Sequence, residues 1–241
     1  YNQSTASAIT DSTQLTLVNV PAGDANNATK VALNGLSAAY SDKNVGTGKT
    51  VSVATASLTG TTASNYTLSL TGAPTTTADI TAKSLAVTIT PSNKTYDQTV
   101  SATVSYSDNR IAGDSFTVSG TSTFSDKNVG TGKTVTATGI TLTGTDAANY
   151  SQNTSTTTTA NINKKSLTVS ITASNKTYDR TTTASVTYLD DRIAGDVLTV
   201  TGTPNFSDKT VAAGKTVTAT GIGISGTDAR SEEHTSELQS R

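Results

Sequence analysis

The sequence of 241 residues contains no cysteine, no methionine and no tryptophan. The absence of cysteine excludes disulfide bonds and thiolate metal sites. No run of apolar residues reaches the roughly 18 that a membrane span needs, so we predict no direct membrane insertion. Charge is nearly balanced, with 17 basic and 18 acidic residues, which leaves no basic surplus for nucleic acid. We therefore expect no nucleic-acid partner.

The chain also has few groups suited to catalysis. Its one histidine is His234. Without other histidines or any cysteine, a nucleophile and its base would have to be serine with lysine, or two paired carboxylates. The Gly-Lys-Thr segment at residues 132–134 resembles part of a phosphate loop, but that motif requires a glycine where Lys127 stands. We predict no enzymatic activity, no catalytic residues and no cofactor.

A twelve-residue segment dominates the sequence because it occurs three times, beginning at Ser41, Ser125 and Ser207. Residues 84–147 match residues 166–229 at an offset of 82 without a gap. Such self-similarity is typical of a repeat protein.

The first copy is more diverged than the other two. Its offset to the second copy is 95 at Tyr1 but 84 at Ser41, so it holds about 11 extra residues, which we place near residues 24–27. The offsets predict three domains: residues 1–82 (repeat 1, which lacks a first strand), 83–164 (repeat 2, complete) and 165–229 (repeat 3, which stops before its expected last strand).

Residues 230–241 break the pattern of the repeats. They are charged, show no strand alternation and contain His234. The segment resembles the conceptual translation of a short-read sequencing adapter. We therefore expect a non-native tail and exclude it from the fold prediction.

The repeats have the composition and periodicity of β-strands. Residues 84–90 alternate between apolar and polar side chains, which predicts that Leu85, Val87 and Ile89 face a core. Residues 125–133 are predicted to form a loop. Short strands separated by turn residues favour an all-β fold of tandem immunoglobulin-like β-sandwich repeats. Since the repeats follow each other almost without linkers, we expect an elongated rod. A β-helix is the alternative architecture.

Several motifs recur in the repeats and together identify a family resemblance. They are a Tyr-Asp pair, a Gly-Asp pair, a long segment ending in Gly-Lys-Thr-Val, and a closing Asn-Tyr pair. The residues that carry them are Tyr96, Asp97, Tyr178, Asp179, Gly113, Gly195, Asp126, Lys133, Asn149 and Tyr150. This pattern resembles the YDG/MBG repeats, immunoglobulin-like modules of very large bacterial surface and secreted proteins that include filamentous-haemagglutinin-type adhesins.

The resemblance implies a structural stalk or spacer located outside the cell or on the bacterial surface. It also implies that the partners are neighbouring repeats of the same chain. A direct binder of host-cell glycan or protein, acting through loops of one module, is the alternative function. One departure concerns the glycine of Tyr-Asp-Gly, which is replaced by Gln3, Gln98 and Arg180. If that turn requires a positive φ, these residues are strained.

Acidic residues that recur between repeats are the candidates for a metal site. They are Asp108, Asp114, Asp190 and Asp196. Calcium requires six to eight oxygen ligands, and no closely spaced acidic loop supplies them. The alternative role is capping of turns. Tyr96 and Tyr178, with Tyr106 and Tyr188, are either core tyrosines or a face for stacking sugars. A Lys–Asn isopeptide crosslink also stays open.

Overall fold

The computed structural model describes residues 1–10, 12, 15–24, 27, 29–234 and 237–240, with only the backbone described at 232–234 and 237–240. About half of the chain is in strands and about 4% in helix, so the prediction of an all-β fold is confirmed. Among the described residues, no helix has the length and apolar character needed to cross a membrane.

The described residues of repeat 1 form four strands and one short helix. They are β1 (Ala6–Ser7), β2 (Ala32–Tyr40), β3 (Gly46–Thr59), a 3₁₀ helix (Ala63–Asn65) and β4 (Thr75–Ile80). The four strands form one antiparallel sheet in the order β1-β2-β3-β4. The extra residues that we placed near 24–27 include positions 25 and 26, which lie outside the described residues.

Repeat 2 contains eight strands and a second short helix. They are β5 (Lys83–Leu85), β6 (Val87–Pro91), β7 (Lys94–Thr95), β8 (Val104–Asp108), β9 (Thr117–Phe124), β10 (Gly130–Thr143), a 3₁₀ helix (Ala147–Asn149), β11 (Tyr150–Gln152) and β12 (Ser155–Asn163). Strand β11 pairs with β5 in parallel, and β10 pairs with β12 in antiparallel fashion.

In repeat 3 and the segment after it, the described residues form seven strands and a third short helix. They are β13 (Lys165–Leu167), β14 (Val169–Ala173), β15 (Val186–Asp190), β16 (Thr199–Phe206), β17 (Val217–Ser225), a 3₁₀ helix (Ala229–Ser231), β18 (Glu232–His234) and β19 (Glu237–Ser240). The backbone of β18 pairs with β13 in parallel, as β11 does with β5. The backbone of residues 237–240 pairs with β17. Residues 235, 236 and 241 lie outside the described part of the tail.

The chain divides into two compact units that do not coincide with the repeats. The first unit comprises Tyr1–Val87, Asp108–Ser119 and Ile140–Thr154. The second comprises Thr88–Ser107, Gly120–Gly139 and Ser155–Arg241. Each unit therefore holds residues of two successive repeats.

The alternating strands bury their apolar side chains as predicted. Leu85, Val87 and Ile89 are buried, which confirms the predicted inward face. Their counterparts in repeat 3, Leu167 and Val169, pack with Leu198 in one apolar cluster. A second cluster of that repeat contains Ile171, Ala184, Val217, Ala219 and Ile222. Because successive side chains of a strand point to opposite faces, the intervening serines and threonines remain exposed.

The predicted loop at residues 125–133 is shorter in the structure because β10 begins at Gly130. The register between β10 and β12 shifts between Gly130 and Lys133, as expected for a β-bulge. Gly132 lies in this bulge with a φ of 61°, a conformation that glycine adopts without a steric cost. The prediction of a loop was wrong for these last residues, since a strand accommodates one extra residue by bulging.

A second glycine brings two segments of repeat 2 close together. A Cβ added at Gly144 would lie 2.6 Å from the Cα of Phe116, so no other residue fits without a backbone shift. This close approach lets the N–H of Ser115 donate to Asp146 Oδ2 at 2.9 Å. The loop before Phe116 and the 3₁₀ helix after Gly144 are thereby held side by side.

Candidate functional site

The carboxylate of Asp114 is the centre of the most elaborate polar site in the first unit. Its side chain is only 1% exposed and follows a turn in which the Asp114 N–H donates to the Ile111 carbonyl at 3.2 Å. The Tyr150 hydroxyl donates to Asp114 Oδ2 at 2.5 Å and accepts from the Ile111 N–H at 2.9 Å. Repeat 2 therefore positions this buried carboxylate with its own tyrosine.

Repeat 1 supplies the other donors to the same carboxylate. The Tyr1 hydroxyl donates to Asp114 Oδ1 at 3.0 Å, and Gln3 Nε2 donates to it at 2.6 Å. Gln3 Nε2 also donates to the Ala112 carbonyl at 3.2 Å. The Tyr1 and Tyr150 rings meet edge to face, with centroids 5.6 Å apart. We call this arrangement of Tyr1, Gln3, Asp114 and Tyr150 the carboxylate clasp.

A second loop of repeat 1 contacts repeat 2 beside the clasp. Lys43 Nζ lies 3.8 Å from Asp146 Oδ1 and 4.0 Å from Asp114 Oδ1. The Val45 N–H donates to Asn149 Oδ1 at 2.9 Å, and Asn149 Nδ2 donates to Asn44 Oδ1 at 3.3 Å. Asn149 is buried, so its amide is satisfied by the neighbouring repeat rather than by water.

The tyrosine side of the clasp is a tight turn shaped by its own polar residues. In repeat 2, Asp97 Oδ1 accepts from the Thr99 N–H at 2.9 Å and from Lys94 Nζ at 2.7 Å. The Tyr96 N–H donates to the Asn163 carbonyl at 2.8 Å. These bonds fix the turn to the last strand of its own repeat.

The third residue of this turn has a positive φ in all three repeats. The values are 63° at Gln3, 63° at Gln98 and 67° at Arg180. The turn therefore does require a positive φ, the condition under which the sequence predicted strain at these residues. For a residue with a Cβ it costs roughly 1–2 kcal/mol. The two glutamines offset this cost by donating to the partner carboxylate.

The two donors that the preceding repeat gives to the clasp recur in the second unit. The Tyr96 hydroxyl donates to Asp196 Oδ1 at 2.8 Å, and Gln98 Nε2 donates to the same oxygen at 2.5 Å. Lys127 Nζ lies 3.9 Å from Asp228 Oδ1, as Lys43 does from Asp146. Repeat 2 thus contacts repeat 3 through the tyrosine, the glutamine and the lysine that repeat 1 uses to contact repeat 2.

One acceptor of the second clasp remains unsatisfied. Asp196 Oδ2 is buried and has no hydrogen-bond partner among the residues that the structure describes. Its counterpart, Asp114 Oδ2, accepts from Tyr150, whereas the sequence has Glu232 at the position equivalent to Tyr150. Similarly, Ser231 stands where Asn149 stands in repeat 2. Both differences fall in the tail segment that we predicted to be non-native.

The acceptor half of the clasp also exists in repeat 1, where the sequence comparison missed it. The Tyr66 hydroxyl donates to Asp24 Oδ2 at 2.9 Å, as Tyr150 does to Asp114. Lys30 Nζ lies 3.3 Å from Asp24 Oδ1. Gly23 and Asp24 are therefore the Gly-Asp pair of repeat 1, in a segment whose spacing differs from that of the other repeats.

Burial and hydrogen bonding shift the pKa of the groups in the clasp. Burial by itself raises the pKa of Asp114, but the bonds from Tyr150, Gln3 and Tyr1 outweigh it and lower the pKa below its ordinary value. Burial and the bond to Asp114 raise the pKa of Tyr1 to about 12, and the same causes raise that of Tyr150 to about 12. The clasp therefore contains an ionised carboxylate and neutral tyrosines at neutral pH.

The four calcium candidates are used in two different ways. Asp108 accepts two bonds from Arg110, at 2.8 Å from Nε and 2.5 Å from Nη2, and Asp190 is bonded in the same way by Arg192. Asp114 and Asp196 belong to the two clasps. In the described part of the chain, no group of three or more His, Cys, Asp or Glu side chains is arranged to hold a metal ion. A cation would have to displace guanidinium or tyrosine donors.

The remaining motif residues support the turns and the core. Asp126 accepts from Lys133 Nζ at 2.6 Å across the bulged start of β10, and Asp179 accepts from Lys176 Nζ at 2.8 Å in the turn of repeat 3. The Tyr106 and Tyr188 hydroxyls are buried, and within the described part of the chain neither has a hydrogen-bond partner. Gly113 and Gly195 adopt φ values of 97° and 101° just before the clasp carboxylates.

Comparison with protein families gives one match that recurs along the chain. The model of the YDG domain matches residues 1–78, 81–159 and 163–231. The chain belongs to the YDG domain family. Each match in this YDG chain includes one Gly-Asp acceptor and one tyrosine turn. Comparison with curated proteins and with solved structures gives no match.

Proposed function

We propose that this chain is a run of stalk modules, each an immunoglobulin-like β-sandwich, from a large bacterial surface or secreted adhesin. Its partners are then neighbouring repeats, its location is the cell surface or the medium, and it has no catalytic activity. The single observation that carries the proposal is the carboxylate clasp, which recurs with the same donors between successive repeats.

The connections between repeats support a stiff stalk. Strand β4 ends at Ile80 and β5 begins at Lys83, while β12 ends at Asn163 and β13 begins at Lys165. Linkers of one or two residues restrict the separation of modules but leave rotation open. Hydrogen bonds to an ionised carboxylate are about twice as strong as neutral ones, and the two donated by the preceding repeat oppose rotation.

The chemistry of the contact also favours a structural role. The clasp carboxylates are buried and already accept bonds from their neighbours, so they are not available to a soluble ligand. The adjacent Lys43–Asp146 pair is long and partly exposed, so it contributes about 0–1 kcal/mol. A contact of this kind orients the modules with few charged groups and leaves their outer faces solvated.

Small-angle X-ray scattering of the dilute chain tests the proposal. A strand of about seven to ten residues rises ~3.3 Å per residue and spans roughly 25–35 Å. Three modules placed end to end therefore give a largest dimension on the order of 100 Å. We expect that dimension and a narrow distance distribution. The double variant Tyr96→Phe/Gln98→Ala should broaden the distribution, whereas the matched Tyr178→Phe/Arg180→Ala should not. A compact wild-type particle contradicts the stalk, and binding of the isolated chain to host cells or a glycan array would favour a direct adhesive role.

A further inference from the structure

Repeat 3 carries the donor half of a clasp that is not engaged. Tyr178 is 56% exposed, whereas its counterpart Tyr96 is 2% exposed. Among the described residues, no hydrogen-bond partner lies within reach of the Tyr178 hydroxyl. Val211, in the loop equivalent to the one that carries Val45, is 84% exposed. Both features lie at positions that contact the following repeat elsewhere in the chain.

The unengaged turn already has the conformation of the engaged ones. Lys176 Nζ donates to Asp179 Oδ1 at 2.8 Å, and the Thr181 N–H donates to the same oxygen at 2.9 Å. The corresponding distances in repeat 2 are 2.7 and 2.9 Å. With Arg180 also at positive φ, the backbone of the turn already has the bound conformation, which lowers the ordering cost of binding and favours affinity.

The two loops that form a contact with the next repeat also lie together in repeat 3. Tyr178, Lys209 and Val211 line one open groove. Lys209 is the counterpart of Lys43 and Lys127, which face acidic residues of the following repeat. The surface therefore presents a phenol and an ammonium group, the two groups that both clasps use, beside the loop residue equivalent to Val45.

We propose that this end of repeat 3 docks the Gly-Asp end of another YDG module, an inference that rests on the clasp as the connector of the proposed stalk. The partner must present a carboxylate backed by its own tyrosine and an amide for the loop backbone. A flexible acidic peptide lacks this arrangement. Repeat 1 of a second copy presents the carboxylate and the amide, because Tyr66 holds Asp24, the Asp24 side chain remains 20% exposed, and Asn65 stands where repeat 2 has Asn149. Thr62 stands where repeat 2 has Asp146, so Lys209 would face the clasp carboxylate alone, as Lys43 also faces Asp114.

Chemical crosslinking of the full chain tests the docking. Gln3 Nε2 contacts the Ala112 carbonyl in the first clasp, and the equivalent free positions are Arg180 and Ala22. Since the chain has no cysteine, Ala22→Cys/Arg180→Cys with a short bis-maleimide should give a ladder of head-to-tail multimers. The control pair Ala22→Cys/Leu189→Cys places the second thiol at another exposed site and should give only background.

Two further variants show whether the clasp forms the ladder. Adding Tyr178→Phe or Asp24→Asn to the reactive pair should lower multimer yield roughly tenfold, the change expected when one bond to a carboxylate is lost. Unchanged denaturation midpoints show that the variants fold. Equal ladders from both cysteine pairs, no ladder from either, or no effect of Tyr178→Phe would overturn the proposal. Scattering tests the stalk on dilute monomer, so the two proposals can fail separately.

Discussion

Replacing Tyr96 by phenylalanine should destabilise the chain far more than the same change at Tyr178. Both tyrosines occupy the same position of the repeat, and their turns make the same internal bonds. They differ in their partner, because the Tyr96 hydroxyl donates to buried Asp196 and Tyr178 is largely exposed. The pair of variants therefore isolates the contribution of the clasp.

The magnitude follows from the bond that is lost. A hydrogen bond to a charged group contributes about 1.5–3 kcal/mol to folding, and Gln98 still donates to Asp196 in the variant. We expect Tyr96→Phe to lower the free energy of unfolding by about 1.5–3 kcal/mol. Tyr178→Phe should change it by less than about 0.5 kcal/mol, as is usual for exposed sites.

Urea denaturation followed by circular dichroism measures the difference. With a slope of about 2 kcal/mol per molar urea, the midpoint of Tyr96→Phe should lie about 1 M below that of Tyr178→Phe. The measurement belongs at low protein concentration, where copies of the chain do not associate. Midpoints that agree within about 0.3 M would refute the reasoning, because the Tyr96 hydroxyl would then contribute no more to stability than the exposed Tyr178 hydroxyl.

Three further predictions concern the same contact. Asn149→Ala should lower the free energy of unfolding by about 1–3 kcal/mol, because the part-buried Val45 N–H loses its acceptor. The exposed counterpart Asn65→Ala should be nearly neutral in the same denaturation assay. The pKa of Asp114 is lower in the folded chain than in the unfolded chain, where it is about 4. Its ionised form therefore stabilises the fold above about pH 4, and this contribution is lost as pH falls through the folded pKa. Asp114→Asn should accordingly reduce the loss of thermal stability below about pH 4. Ser231→Asn with Glu232→Tyr should raise the melting temperature, since a tyrosine there would satisfy Asp196 Oδ2 and remove a penalty of about 1–3 kcal/mol; an unchanged melting temperature would argue against equivalence with Tyr150.

The sequence alone was sufficient for the features that depend on local pattern. Alternation at Leu85, Val87 and Ile89 predicted the buried face because a strand places every second side chain on one side. The positive φ at Gln98 could be anticipated from the glycine of the related motif. The predicted loop that includes Gly132 was too long, because a bulge lets a strand begin where turn residues still occur in the sequence.

The sequence does not predict the clasp because the residues that form it are far apart in the chain. Tyr1 and Asp114 are separated by 113 residues, and no local pattern shows that the tyrosine of one repeat meets the carboxylate of the next. Recurrence of Asp114 and Asp196 led instead to a calcium hypothesis, although the Oδ1 atom of each is already occupied by donors of the preceding repeat. The constant spacing of the Tyr-Asp and Gly-Asp motifs was the one signal in the sequence that pointed to the clasp. Spacing does not show which repeat contacts which, or how far apart the two motifs lie in space.

A double-mutant cycle on Tyr96 and Asp196 tests the central claim most directly. Unfolding free energies are measured for Tyr96→Phe, Asp196→Ala and the double variant. If the two residues join successive repeats as the 2.8 Å bond indicates, the cycle should give a coupling energy of about 1 kcal/mol or more. Additive effects within about 0.5 kcal/mol would contradict the carboxylate clasp as the connection between repeats.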